Sequence, residues 1–285
     1  MTKAERRETM NRRQFLAGIS ASAWLAATHA SGSRGAVRGR SDTSAAKNGS
    51  GRIQSLRLET AAPLSEMKAY YRDLLELEIL GEDASELTVR AGETRITFVA
   101  AAPSEVGAPF YHFAFNIPEN KLLAARSWQR ERTPLIAPYA NLRDPQYPDD
   151  VVHFANWNAH SVFFWDPAGN LLEHIARHDL RSSADGSFRS SDILYASEIG
   201  LIADDVPAMA RDVAGTFGLL PYRGASEQFT AVGDELGLLL VMKRGRNLGF
   251  DEGRPAGVFA TAVTLRGVEP ARYAAPDLPF RISSD

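Results

Sequence analysis

The 285-residue chain contains no cysteine. That absence excludes disulfides, zinc–thiolate sites, cysteine-ligated iron–sulfur clusters and thiol nucleophiles. Any bound metal must therefore be held by His, Asp, Glu or other oxygen donors, water included. The body of the chain also lacks a run of Lys or Arg, and the formal net charge is −3. Neutralising phosphates needs a basic surface, so nucleic acid is a poor partner. What is present is a sizeable apolar fraction, 44%, with 24% charged residues. That balance supports a folded core and argues against wholesale disorder. The length suits one large domain or two ordinary ones.

The first thirty residues read as an address. Asn11-Arg12-Arg13-Gln14-Phe15-Leu16 leads into an apolar stretch from Leu16 to Ala27 that ends in Ala27-Thr28-His29-Ala30. A charged start, a short apolar middle and small residues at the end make a cleavable export signal. The apolar middle is too short for a membrane span of about 20 residues, so the mature protein is expected to have none. The paired arginines before Phe-Leu resemble the twin-arginine signal. That resemblance implies export of an already folded protein to the periplasm or beyond, often with a cofactor acquired in the cytoplasm. Lys3, Arg6, Arg7, Arg12 and Arg13 against Glu5 and Glu8 give residues 1–30 a charge of +3, so their removal takes the formal charge from −3 to −6. Residues 31–51, rich in Gly, Ser, Ala and Arg, read as a flexible tether.

Beyond the tether the chain repeats a pattern. The first unit begins with the alternating strand Ile53 to Leu58. Pro63 then opens a helix whose apolar positions are Leu64, Met67, Tyr70 or Tyr71, and Leu74. Leu87 to Arg90 and Arg95 to Val99 form a hairpin about Ala91-Gly92-Glu93. In the second unit, Tyr111 to Ile117 is the strand and Pro118 starts a helix with Leu122, Leu123, Ala125 and Trp128 on one face. A loop with Pro134, Pro138, Pro145 and Pro148 follows, then a strand at Val151 to Phe154. The third unit opens with Glu198 to Ile202. Asp204 or Asp205 caps a helix in which Val206, Met209, Ala210, Val213 and Phe217 recur at helical spacing. Thr230 to Val232 and Leu238 to Met242 close it. A fourth unit starts at Phe259 to Leu265 and stops, since what remains is short and rich in proline.

The stretch from Phe110 to Arg177 carries the chemistry. It opens on Phe110-Tyr111-His112-Phe113-Ala114-Phe115 and closes on two apolar runs around Asp166-Pro167-Ala168-Gly169-Asn170, a hairpin. Glu173 lies in the second run, and a carboxylate in an apolar strand needs a partner. Just before the hairpin, Asn156-Trp157-Asn158-Ala159-His160 is a polar and aromatic cluster. Here Trp157 is a candidate pocket wall and Asn158 a candidate contact for a substrate oxygen. Tyr139, in the proline-bearing loop, is a candidate lid residue, and Phe163 a further pocket residue.

Strand, helix, then two or three strands is a βαβββ unit. Used in tandem, it resembles the vicinal oxygen chelate superfamily, which includes glyoxalase I, extradiol dioxygenases and bleomycin-resistance proteins. The resemblance runs from about Ile53 to Leu265 and is most specific at Asp166-Pro167-Ala168-Gly169-Asn170-Leu171-Leu172-Glu173. Tyr70-Tyr71-Arg72-Asp73-Leu74-Leu75 and Thr216-Phe217-Gly218-Leu219-Leu220 add to it. It implies an α+β fold in which tandem βαβββ modules pair into curved mixed sheets. The expected organisation is paired modules over 52–180, a third module plus the first strand of an incomplete fourth over 190–268, and a tail over 269–285.

In that family, metal ligands are a His on a module's first strand and a Glu on its last. Carried across, the resemblance implies His112 and Glu173 as ligands of a divalent metal (Fe, Mn, Zn or Ni). Ser55 stands where the first module would offer a His, Glu198 where the third would, and Ala260 in the fourth. His160 or His153 is then a candidate third ligand, although alternation counted back from Glu173 tends to put His160 on the other face. His174 is expected outside. Three readings follow: an exported metalloenzyme acting on a small oxygenated molecule, glyoxalase- or dioxygenase-like; a metal-independent binding protein of the bleomycin-resistance type; or a homodimer in which a second chain completes the fourth unit.

Overall fold

The computed structural model describes residues 50–102 and 107–285. The signal at 1–30 and nearly all of the tether lie outside them. The first module comprises β1 (Arg52–Thr60), α1 (Leu64–Lys68), β2 (Glu78–Glu82), β3 (Glu86–Ala91) and β4 (Thr94–Ala100). After α1 the helix continues as a π-helical turn over Ala69–Leu74, which carries the buried Tyr70 and Tyr71 inward. The second has β5 (His112–Ile117), α2 (Leu122–Arg130), β6 (Val152–Phe154), β7 (Ala159–Trp165) and β8 (Leu171–Arg177). The third has β9 (Tyr195–Ala203), α3 (Val206–Phe217), β10 (Pro221–Ala225), β11 (Phe229–Asp234) and β12 (Gly237–Lys243). A short ribbon of β13 (Asn247–Leu248) and β14 (Arg254–Pro255) leads to β15 (Thr261–Arg266), β16 (Ala271–Ala274) and β17 (Phe280–Ser284).

Local chemistry accounts for these elements. Asp205 caps α3 by accepting from the Ala208 amide at 2.9 Å, Pro207 sits in its first turn, and Gly218 ends it at φ 63°. In the β7–β8 hairpin, Asp166 accepts from the Asn170 amide at 2.8 Å and Gly169 takes φ 74°. Each curled sheet buries its helix-side face in one shared apolar core that includes Tyr71, Phe98, Phe113, Phe115, Phe164 and Leu172. Tyr71 ties the modules together there, donating to Asp166 at 2.8 Å. Among the described residues, no helix is long and apolar enough to cross a membrane.

The pairing of modules differs from expectation. One sheet runs β16-β17-β15-β1-β4-β3-β2 and the other β10-β11-β12-β9-β5-β8-β7-β6. The first module thus pairs with the C-terminal strands, and the second with the third. The modules of 52–180 lie in different sheets. Residues 269–285, expected as a tail, form β16 and β17, and β15 pairs with β1 of the same chain. The fourth unit therefore finds its sheet without a second copy, which removes the motive for expecting a homodimer. Where the sheets meet, the Glu93 amide donates to the Leu194 carbonyl at 2.9 Å, and Ala196 donates to the Thr94 hydroxyl at 3.0 Å.

Candidate metal centre

In the eight-stranded sheet, β5 is central, parallel to β8 and antiparallel to β9. Its residues are buried on both faces, the polar His112 and Asn116 included. Alternation sends Phe113, Phe115 and Ile117 to the helix side and His112, Ala114 and Asn116 into the cup. The register sets Ala114 beside Glu173 of β8 on one flank and Glu198 of β9 on the other. Both carboxylates therefore converge on the imidazole two residues earlier.

The three side chains are 5%, 2% and 2% exposed, so they interact in a dry setting. His112 Nδ1 lies 3.0 Å from the Leu171 carbonyl, an acceptor only, so Nδ1 carries the proton. That bond turns Nε2 toward Glu173 Oε2 at 3.5 Å and Glu198 Oε2 at 3.8 Å. Burial pulls the imidazole pKa down, but the Glu198 hydrogen bond and the charges of Glu173 and Glu198 outweigh it, and the net direction is up. Burial, and then repulsion from Glu198, push the Glu173 carboxyl up to about 8. Arg177, wholly buried at the end of β8, pairs with Glu198 Oε1. Its guanidinium lies over the Trp157 ring, 5.5 Å from the centroid.

These residues fit a divalent ion. One donor atom each from His112, Glu173 and Glu198 lie within 4.8 Å of one another. Glu173 Oε1 is buried and has no hydrogen-bond partner. An Nε2 facing two carboxylates must carry either a second proton or a lone pair aimed at a cation. The unpaired Glu173 Oε1 and an Nε2 set between two carboxylates are both what an ion ligand would offer. The register equivalent of Glu173 in the third module is Leu240, so this pair of modules offers three donors rather than four.

Aromatic rings wall the cup. The Phe163 ring lies 6.1 Å from His112, Phe250 packs edge-on against Phe163 at 5.3 Å, and Tyr139 packs edge-on against Phe250 at 5.6 Å. A small pocket reaching His112 is lined by Phe110, Ile202, Leu248, Phe259 and Phe280. Trp157 walls the other end, against Tyr222 and Phe229.

Other sequence expectations land elsewhere. His160 and His153 do not approach the cup. His160 lies opposite Ala176, three residues from Glu173, so the two-residue period turns it to the other face, and His153 pairs with it. Asn158 is exposed at φ 46°, and its amide donates to Asp179 at 2.7 Å rather than facing the cup. His174 takes the face away from the cup but is buried, its Nε2 3.1 Å from Gln129 Oε1. The residue that sequence reasoning left out of the site is Glu198. Its position at the start of the third module was visible, but its neighbourhood to His112 depends on which modules pair.

No protein-family model matches the sequence, and no curated protein matches it. Solved structures do. A proposed dioxygenase from Bacillus subtilis superposes with a TM-score of 0.54 at 16% identity, covering 84% of this chain and 86% of that one. A glyoxalase I mutant from Zea mays gives a TM-score of 0.50 at 11% identity, covering 84% and 95%. At such identities the likeness concerns architecture, and with the paired, curled βαβββ sheets it establishes that the chain has the vicinal oxygen chelate fold.

Proposed function

We propose that this protein is an exported metalloenzyme acting on a small oxygenated molecule, with a divalent first-row ion held by His112, Glu173 and Glu198. The reading rests on the convergence of these three buried donors, with Nε2 oriented by Leu171 and Glu173 Oε1 left without a partner. The ion, when bound, supplies Lewis acidity toward a carbonyl or a pair of vicinal oxygens. One imidazole with two carboxylates differs from the two-His, one-carboxylate set of non-haem iron oxygenases, which favours glyoxalase-like over ring-cleaving chemistry. Burial and repulsion from Glu198 hold the Glu173 carboxyl above its ordinary range in the ion-free cup, so an ion binding there would displace a proton from the cluster. Phe163, Phe250 and Tyr139 exclude water from one side of the site. Export rests on Arg12-Arg13-Gln14-Phe15-Leu16.

Elemental analysis of protein folded in the cytoplasm tests the reading. The parent should carry a stoichiometric ion that His112→Ala, Glu173→Ala and Glu198→Ala each lose. A metal-free parent that also takes up no ion on titration would overturn it. One observation favours a second reading, a metal-independent binding protein: Arg177 already supplies Glu198 with a cation. Aromatic ligands would then bind equally well after chelation.

A further inference from the structure

We infer that Asp144, His153 and His160 form a second divalent-cation site, on the opposite face of the sheet from the cup. His153 and His160 are register partners on β6 and β7, and Asp144 reaches them from the proline-bearing loop. His160 Nε2 lies 3.2 Å from Asp144 Oδ2, and His153 Nδ1 lies 3.9 Å from the same oxygen. One donor atom from each of the three falls within 4.8 Å of the others. Tetrahedral zinc with ligand bonds of about 2.0–2.1 Å separates its ligands by about 3.3 Å, close to the donor separations here, and the stacked rings would tilt out of parallel to bring their in-plane lone pairs onto one ion. Two imidazoles and one carboxylate suit zinc or a neighbouring first-row ion, with water completing the shell.

The surroundings have the arrangement that supports ligating imidazoles. His160 Nδ1 lies 2.8 Å from His178 Nε2, and His178 Nδ1 lies 3.7 Å from Glu119 Oε2. When Nδ1–H of His178 faces Glu119, its Nε2 accepts from Nδ1–H of His160. The Nε2 lone pair of His160 then points at a carboxylate, an acceptor facing an acceptor. In the other tautomer His160 Nε2–H donates to Asp144; a cation between them selects the first tautomer and engages His153 as well. The His153 and His160 rings are parallel, with centroids 4.5 Å apart, and Tyr147 stacks on the other side of His160 at 4.2 Å. Two imidazolium rings at that spacing would repel, whereas two neutral ligands would not. Asp144 belongs to the loop that also carries Tyr139, whose ring packs on Phe250 over the cup. An ion at Asp144 would clamp this loop to β6 and β7.

The test is zinc titration of the metal-stripped protein by calorimetry and by competition with a chromophoric chelator. In the His112→Ala/Glu173→Ala background, which disables the cup, one equivalent should still bind. His153→Ala or Asp144→Asn should abolish it, and His178→Ala should weaken it about 10–100-fold. If the double variant does not fold, the parent serves: His153, about a third exposed, is replaceable without opening the core, and His153→Ala should lower the zinc stoichiometry by one. Zinc binding that is absent from the folded cup-less variant, or unchanged by both His153→Ala and Asp144→Asn, would overturn the inference. The outcomes are separable from those for the cup, since either site can bind without the other.

Discussion

Replacing Arg177 with methionine tests the electrostatics of the cup directly. Arg177 has no exposed side-chain surface, and Glu198 has 2%. Removing one partner of a buried ion pair costs about 3–5 kcal/mol, because the other charge is left in a low-dielectric setting. For a folded region of this size, each kcal/mol shifts Tm by about 2–4 °C. Arg177→Met should therefore melt roughly 6–20 °C below the parent in the presence of a chelator. A divalent ion at His112, Glu173 and Glu198 would replace the missing positive charge. At a free concentration a hundredfold above its Kd it returns about 2.7 kcal/mol, over half the deficit at the middle of that range. The double variant Arg177→Met/Glu198→Leu removes both charges. It should melt close to the parent in chelator, since paired replacement of a buried ion pair by apolar groups is often neutral or better. It should also lose most of the ion rescue, because one of three donors is gone. Thermal unfolding of the three proteins with and without chelator reads all of this. All three proteins carry His153→Ala, so that the Asp144 site does not contribute to the ion effect. An Arg177→Met variant that melts with the parent in chelator, or a double variant rescued as fully as the single one, would refute the reasoning.

Two further outcomes concern the frame around the site. Burial pushes the Asp166 carboxyl from 3.8 to about 6, despite the bonds it accepts from Asn170 and Tyr71. Because the folded value exceeds the unfolded one, this group favours folding fully below about pH 4, and the benefit is lost as pH rises through about 6. The change is worth roughly 3 kcal/mol, so the stability difference between parent and Asp166→Asn should move by about that amount across this window. Urea unfolding at a series of pH values measures it, and a flat difference would contradict the account. Gly92 takes φ 57° at the contact between the sheets, where an added Cβ would lie 2.0 Å from the Leu194 carbonyl oxygen. Gly92→Ala should cost at least about 1–3 kcal/mol from backbone strain alone. An unchanged urea midpoint would show that the junction is softer than this geometry allows.

How much of this was legible depended on the range of the interactions involved. The α3 helix could be read because Asp205, Pro207, the apolar stripe and Gly218 are all local signals that agree. The β7–β8 hairpin was legible for the same reason, since Asp166 and Asn170 bond across their own turn. Module pairing was not. β5 and β9 are buried along their whole lengths, and alternation along either tells which face a residue takes but not which strand lies beside it. β16 and β17 escaped notice because they are short, follow closely after Pro270 or Pro279, and lie at the edge of a sheet that they join only through β15, which pairs with the distant β1. The face of His160 was open to a count from Glu173, but a one-residue slip in the turn would have reversed it. The observed register settles the direction of the count, and with it the separation of the histidine cluster from the cup.

The site also depends on what is small. Position 114 is alanine, flanked in register by Glu173 on one side and Glu198 on the other, and it lies two residues from His112 on the same face of β5. A longer side chain there would occupy the space into which the two carboxylates lean. Gly200 has a comparable role on β9: a Cβ would meet the Met242 methyl at 2.5 Å and the His112 Cβ at 3.7 Å. The donors alone therefore do not define the centre. Antiparallel pairing of β5 with β9 brings the two first-strand positions, His112 and Glu198, together, while parallel pairing of β5 with β8 brings in Glu173. The corresponding fourth position holds Leu240, which adds no charge, and Arg177 at the end of β8 offsets one of the two carboxylates. With His112 neutral, two carboxylates and one guanidinium leave the dry cup with a net charge of −1: one proton neutralises it, whereas a divalent ion takes it to +1 and so favours an anionic oxygen as the remaining ligand.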